Sequence, residues 1–383
     1  MNIAIVTTGH RPDDDRIFFK EVASLLTKYP RIDLIAPTEP GETYALAPGV
    51  ALHPIPRRGG IAGRLLTAFR AARAVIRLDP DICHFHDLDF ILMVPFVRLL
   101  SQAKLIYDVH ELYPERMLIS NKIPRWSRRP AARLVDVFEK AIARWCALVV
   151  AAVDPIAERF RSAGVSAITV FNYPRLSLFA ARAPVDERLR QAYAGRRVLI
   201  YQGTMGRDRG LFHMLAGMRL LKEKAPEALL LLVGLNDPGL RAQADDQIRR
   251  ERLENVVQIV PWVPHAEIAG YMALAEIGLV PLQPSEKNKK SLPIKVFEYM
   301  ACGIPLLAAD LPSVVPYIVE SGAGVIYDST AAEAFAREAQ RLLANRAGRE
   351  AMAKAGREAV AARWNWGEME KRLLAAYAKL EAK

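Results

Sequence analysis

Four lysines crowd one short stretch, Lys287, Lys289, Lys290 and Lys295 in SEKNKKSLPIKVFEYMACGIP (285–305), and the apolar residues of its second half are spaced for a helix. Ile294, Phe297, Met300 and Ala301 recur at helical intervals; Pro293 suits a first turn, and Gly303 suits a left-handed C-terminal cap. Cations at a helix start oppose the dipole there, whose free amides attract anions instead. The arrangement fits a phosphate-bearing ligand, with a solvated lysine face on an ordinary crossover helix as the plainer alternative. A second turn carries related chemistry. In QGTMGRDRG (202–210) three glycines, Gly203, Gly206 and Gly210, let backbone amides approach a ligand, and Arg207 and Arg209 can neutralise phosphate. A third group is made of histidines: His10, His86-Asp87 and His110-Glu111 each come just after a short apolar run. A lone histidine more often serves a turn or core than catalysis, but three at successive strand ends point to a site.

The elements that must position these residues read as an alternation. Apolar runs at 2–7, 32–36, 50–54, 81–85, 104–109, 148–152 and 168–171 alternate with amphipathic stretches such as 16–26 and 61–78. Runs at 197–201, 228–233, 256–260, 277–282, 305–309 and 322–327 repeat the design. That is the pattern of α/β, doubly wound parallel sheets, which bind ligands beyond the C-terminal ends of their strands. Both the histidines and the glycine turn fall on that edge. A helix pair is expected over 331–362 and another helix over 364–380, and Asp15 is the expected cap of the helix at 16–26.

A chain of 383 residues exceeds one compact core and fits two domains. Its net charge of +11 suits nucleic acid, anionic lipid or phosphorylated ligands. No zinc-finger or RNA-binding aromatic motif is present, so nucleic acid is not expected. Only Gly9 stands where a dinucleotide fingerprint requires a glycine triplet, which argues against a dehydrogenase, and no lysine-bearing P-loop suggests a nucleoside triphosphatase. The three cysteines, Cys83, Cys146 and Cys302, are widely spaced among apolar residues and read as reduced core positions of a cytoplasmic protein. The N-terminus reads as a first strand rather than a signal peptide, and no apolar run reaches membrane-spanning length. Around Trp126 lie Arg125, Arg128, Arg129 and Arg133, followed by a stripe of Leu134, Val137, Phe138, Ile142 and Trp145. Two readings stand equal: contact with an anionic membrane surface, and a core helix preceded by a charged loop.

SLPIKVFEYMACGIP (291–305) resembles the donor-binding signature of retaining glycosyltransferases of family 4, the glycosyl transferases group 1. The glycine turn at 203–210, YDVHE (107–111), His10 with Asp15-Arg16, and Asn172-Tyr173-Pro174 resemble further parts of that family, so the likeness covers nearly the whole chain. It implies a GT-B fold, two Rossmann-like domains facing across a cleft: an acceptor domain at 1–175, a linker at 176–190, a donor domain at 191–363, and a helix at 364–383 crossing back. It implies transfer of a sugar, with retention, from a UDP- or GDP-linked donor to a hydroxyl acceptor; the basic charge and the Trp126 region point to bacterial surface polysaccharide or lipid-linked glycan synthesis as the setting. His110, Arg209 and Lys295 become the expected catalytic residues. On the donor side, Glu298 holds the ribose, Lys295 and Arg209 meet the diphosphate beside Gly203 and Arg207, and Trp262 and Val263 line the base pocket. His10, His86, Asp87 and Glu111 fall on the acceptor or sugar side. Many members carry a glutamate eight positions before Glu298, where this chain has Lys290; backbone amides around Ser291 and Leu292 are expected to serve the sugar instead. With these cations no metal or cofactor is expected, and attachment to the inner face of a membrane is peripheral. The alternatives are a nucleotide-sugar epimerase of the same architecture, which needs no acceptor, and a non-catalytic glycan- or lipid-binding relative.

Overall fold

In the computed structural model, which describes residues 1–39, 41–57, 59–120, 123–179, 187–263 and 265–382, the apolar runs form two parallel sheets. The first contains β1 (Ile3–Val6), β2 (Ile32–Thr38), β3 (Val50–Pro56), β4 (Ile82–Phe85), β5 (Lys104–Val109), β6 (Leu148–Ala151) and β7 (Ala167–Thr169), in the order β3-β2-β1-β4-β5-β6-β7. The second contains β8 (Arg197–Gln202), β9 (Ala228–Val233), β10 (Val257–Val260), β11 (Ala275–Val280), β12 (Leu306–Ala309) and β13 (Gly324–Tyr327), in the order β10-β9-β8-β11-β12-β13. Parallel strands need crossover connections that lay helices on both faces, so the strands read as largely apolar runs instead of alternating. Every residue of β1 and of β9 is accordingly buried.

The chain divides into two units, Met1–Asn172 with Trp366–Lys383, and Tyr173–Asn365. Of the expected linker, 180–186 lie outside the described residues; its described parts hold a short turn, Leu176–Leu178, and the start of the helix Glu187–Ala192.

In the first unit the crossovers after β3 all run in one direction, so their right-handedness puts the helices Gly60–Leu78, Leu88–Ile91, Val94–Leu100, Arg128–Ala143 and Asp154–Arg161 on one sheet face. Val75, Phe90, Val97, Ala143 and Phe160 pack there against Val6, Phe85, Tyr107 and Val149. His84 points to the other face, since side chains alternate along a strand. That face receives the C-terminal helix Trp366–Glu381: the Tyr377 hydroxyl lies 2.8 Å from His84 Nδ1, Trp366 Nε1 donates to Ser24 Oγ at 2.8 Å, and Lys104 Nζ donates to the Leu380 carbonyl at 2.7 Å. The segment expected as a helix at 16–26 is wound as a π-helical turn, Ile17–Val22, that runs into a single α-turn, Ala23–Leu25. Its start is capped by Asp14 rather than Asp15. Asp14 Oδ1 accepts from the amides of Arg16 (2.9 Å) and Ile17 (3.0 Å), while Asp15 pairs with Lys20 at 2.7 Å.

The second unit buries the helix Leu211–Leu221 against Ala332–Ala344 and β8, β9 and β11. The helix after the lysine loop is Lys295–Cys302, closed by Gly303 at φ 65°, with Ile294 rather than a residue before Pro293 at its N-cap.

Candidate active site

In each sheet one pair of strands marks where the winding reverses: β1 and β4 in the first, β8 and β11 in the second. Loops diverge there and leave a crevice beyond the strand ends. The first unit's histidines meet at such a point. Asp87 accepts from Thr7 Oγ1 (2.7 Å) and from the amides of Thr8 (2.8 Å) and Gly9 (3.1 Å), and lies 3.3 Å from His10 Nδ1. A Cβ on Gly9 would stand 2.8 Å from Asp87 Oδ1, so the turn is closed tightly over this carboxylate. Burial alone would raise the Asp87 carboxyl, but His10, and then Thr7 and Thr8, hold it well below the usual range. His10 is raised in turn, Asp87 outweighing its burial. The His110 ring centroid lies 5.5 Å from that of His10 and 5.2 Å from that of His86, with His86 Nδ1 3.2 Å from His110 Nε2.

Beneath the histidines is a buried ionic core. Asp108 Oδ1 is 3.1 Å from His110 Nε2. Arg16 binds Asp108 Oδ2 at 3.0 Å and Glu21 Oε1 at 2.8 Å, and donates to the Val170 carbonyl at 2.9 Å. Glu21 Oε2 lies 3.5 Å from His86 Nε2. Burial works to raise the Asp108 carboxyl, yet Arg16 and then His110 keep it well below the usual range. The same guanidinium does not suffice for Glu21, which burial and then the Asp108 charge push well above. Burial, then His84, lowers His86 well below an ordinary imidazole. One cation between two carboxylates therefore favours the charged form of Asp108 and leaves Glu21 the more readily protonated of the two. Ligand atoms of Glu21, His86, Asp108 and His110 lie within 4.8 Å of one another, a spacing a metal ion could use. The Arg16 guanidinium already occupies the ground between the two carboxylates, so the set does not fit a second, divalent cation. Thus His10, His86, Asp87 and His110 come together. Glu111 does not; it is exposed and paired with Arg116. Sequence reasoning missed Asp108 and Glu21. A charged residue inside the apolar strand KLIYDV was the available signal for the first, and the second had none, since a π-turn places it.

In the second unit, Gly210 has φ 81°, and a Cβ there would lie 2.1 Å from the Pro281 carbonyl, so the glycine turn presses directly on the end of β11. Asn288 clips the lysine loop to it, its Nδ2 donating to the carbonyls of Asp208 and Gln283, each at 2.9 Å. The amide of Ser291, expected to serve the sugar, donates to the Lys287 carbonyl at 2.9 Å and is thus committed within the loop; Leu292 comes next, half-buried. Lys289 pairs with Glu286 in solvent. Lys295 alone of the four is turned inward and buried: Nζ donates to the Gln202 carbonyl at 2.7 Å and sits 3.3 Å from the Tyr201 ring centroid. Glu298 Oε2 accepts from Gln202 Nε2 at 2.5 Å. Burial, then the charge of Arg209, lowers Lys295 well below an ordinary amine, with Glu298 opposing. Arg207 is not part of this group; its guanidinium lies 4.5 Å from the Phe212 ring centroid and bonds Gln243. Trp262 and Val263 line a cavity of about 330 Å³ that reaches Gly203, Gly234 and Asn236. The Trp262 amide donates to Asn236 Oδ1 at 2.9 Å.

The chain as a whole has relatives. Residues 2–172 match the family described as Glycosyltransferase Family 4, and residues 186–359 that described as Glycosyl transferases group 1. The chain is 24% identical over 343 residues to a GDP-mannose:cellobiosyl-diphosphopolyprenol alpha-mannosyltransferase of Xanthomonas campestris, covering 87% of this chain and 82% of that protein. A putative teichuronic acid biosynthesis glycosyltransferase of Bacillus subtilis is 38% identical over 73 residues, 18% of either chain. Among solved structures, sucrose-phosphate synthase from Thermosynechococcus elongatus superposes with a TM-score of 0.81 at 21% identity, covering 100% of this chain and 99% of that one. Anabaena HepE in complex with UDP gives 0.74 at 15% identity, covering 99% and 100%.

Proposed function

The chain belongs to the GT-B glycosyltransferases, family 4 in its first unit and group 1 in its second, and from that premise we propose that it moves a sugar, with retention, from a nucleoside diphosphate donor to a hydroxyl of a lipid-linked or polysaccharide acceptor. Lys295 is the observation that carries the donor half. Its side-chain nitrogen is buried beside Arg209 at the switch point of the second sheet, an arrangement that favours an arriving anion. A diphosphate meets that demand, and as the sugar bond breaks, the charge growing on its bridging oxygen meets donors already in place. Glu298 is positioned by Gln202 to accept from ribose hydroxyls, and the cavity at Trp262 and Val263 takes the base. Relatives named for GDP-mannose and solved with UDP support either base.

To the first unit the proposal gives the sugar and acceptor side, with His110 held by Asp108, and His10 held by Asp87. The acceptor hydroxyl attacks the face the diphosphate is leaving and passes its proton to a departing phosphate oxygen, so no nucleophile, metal or cofactor of the protein enters. A lipid-linked acceptor would bring the protein to a membrane surface. No helix among the described residues is long and apolar enough to cross one.

Thermal melting of the purified chain with UDP, GDP, ADP and their sugar conjugates tests the reading. One nucleoside diphosphate should raise the Tm by mass action, and Lys295→Ala or Arg209→Ala should lower kcat/KM by about 10²–10³-fold. Turnover unchanged in both variants would overturn the donor assignment.

A further inference from the structure

Three helices on one face of the first sheet carry two apolar stripes each. One stripe is the expected inward one: Val75, Val97 and Ala143 are buried. The other faces water. On Gly60–Leu78 it is Ile61, Leu65 and Phe69, at four-residue spacing; on Val94–Leu100 it is Phe96 and Leu99; on Arg128–Ala143 it is Leu134 and Val137. Ile61, Leu99, Leu134 and the preceding Trp126 are 83%, 79%, 71% and 83% exposed. All three helices lie on one face of the sheet and feed one core cluster, so their outer stripes look out from the same side of the unit. The equal reading of 128–143 as a core helix is thereby corrected for Leu134, Val137 and Phe138, all of them exposed. By contrast the second unit exposes, among its described large apolar side chains, only Leu178, Trp262 and Val319.

The same surface is basic. Gly60–Leu78 and Val94–Leu100 carry five arginines and no acid; Arg64 is paired with Asp89 and Arg70 is half-buried, while Arg73, Arg77 and Arg98 are exposed. Arg128–Ala143 opens on arginines with no acid in its first turn, against its own dipole. Arg129 and Arg133 meet no carboxylate among the described residues.

We propose that this surface docks on an anionic phospholipid bilayer, Trp126 and the outward aliphatic and aromatic side chains entering the interface while the arginines meet headgroup phosphates. The inference deepens the proposed lipid-linked acceptor and rests on that reading for its purpose. A polyanion such as nucleic acid offers nothing to three apolar stripes. A second copy bound about a two-fold axis would set the arginines against each other.

Co-sedimentation of the full chain with phosphatidylcholine vesicles, with and without phosphatidylglycerol, is the test. Binding should require the anionic lipid and fall as salt is added. Arg129→Gln with Arg133→Gln should lower partitioning by roughly five-fold per charge. Trp126→Ser with Leu99→Ser should lower it by about ten-fold or more. Neither pair should move the Tm or its response to nucleoside diphosphate, since all four side chains are exposed. Absent binding at low salt, or equal binding of the variants, overturns the inference. So does a dimer in sedimentation velocity that Trp126→Ser with Leu99→Ser dissociates, which would assign the surface to a second copy. A nucleotide response without vesicle binding sinks this inference alone; vesicle binding without any nucleotide response sinks only the donor reading.

Discussion

An amine in the position of Lys295 gives up its proton more easily than in water, yet the proposed chemistry needs it charged. Burial and the neighbouring Arg209 both favour the neutral form, and Glu298, already bonded to Gln202, only partly offsets them. A bound diphosphate would reverse this balance by bringing negative charge to the same place, raising the depressed value back toward an ordinary amine. Between the two values, binding must draw protons from solution. In titration calorimetry at a pH within that interval, found by repeating the titration as pH is raised, the observed enthalpy of nucleoside diphosphate binding should therefore rise with the ionisation enthalpy of the buffer, a positive slope marking uptake. Lys295→Arg should bind with no such slope, because a guanidinium stays charged throughout. A flat wild-type response would mean that the amine is charged before the ligand arrives. The first unit solves the converse problem. There Arg16 keeps its proton, and the conflict falls on Glu21, a carboxyl with two apposed charges of opposite sign. Such a buried network says little about net stability, but it fixes where His110 and His86 sit.

At the scale of elements, the strands were legible because a parallel sheet buried on both faces leaves an uninterrupted apolar run, and β1, β5 and β9 fall within a residue or two of where those runs lie. Gly303 was legible too, since few other residues close a helix at φ 65°. What stayed hidden depended on choices the local sequence leaves equal. Asp13, Asp14 and Asp15 are interchangeable as caps on paper, and only the π-turn after them selects Asp14. A stripe of Leu134 and Val137 has the same spacing whether it faces core or water. Asp108 and Arg16 are 92 positions apart, and Asn288 reaches back 80 to Asp208, so neither contact has a local signature. The glycine turn gives an element-scale prediction. Gly210 and Gly322 both have positive φ, but a Cβ meets the Pro281 carbonyl at the first and nothing within 4 Å at the second. Gly322→Ala should cost about 1 kcal/mol in denaturant unfolding, the left-handed penalty alone. Gly210→Ala adds a collision with backbone and should cost about 3 kcal/mol or more, with nucleotide binding lost as the turn leaves β11. Equal costs would show that the approach of turn to strand is not what requires glycine.

For the whole molecule, the notable partition is that both ends of the chain belong to one unit. The helix Trp366–Glu381 follows the second unit directly in sequence but completes the first, through Trp366 on Ser24 and Tyr377 against His84. Each unit has a core cluster of its own, and calorimetry should resolve two transitions that respond to different changes. Trp366 is almost wholly buried, so Trp366→Ala should cost about 3–5 kcal/mol, all of it from the transition of the first unit. A nucleoside diphosphate should raise only the other transition, because the cavity at Trp262 and the buried Lys295 both lie in the second unit. The two perturbations applied together should then add, as independent sites do. If instead a single transition moved as a whole with both, the two cores would be unfolding as one cooperative body, and the loss of Trp366 would have to weaken nucleotide-dependent stabilisation as well.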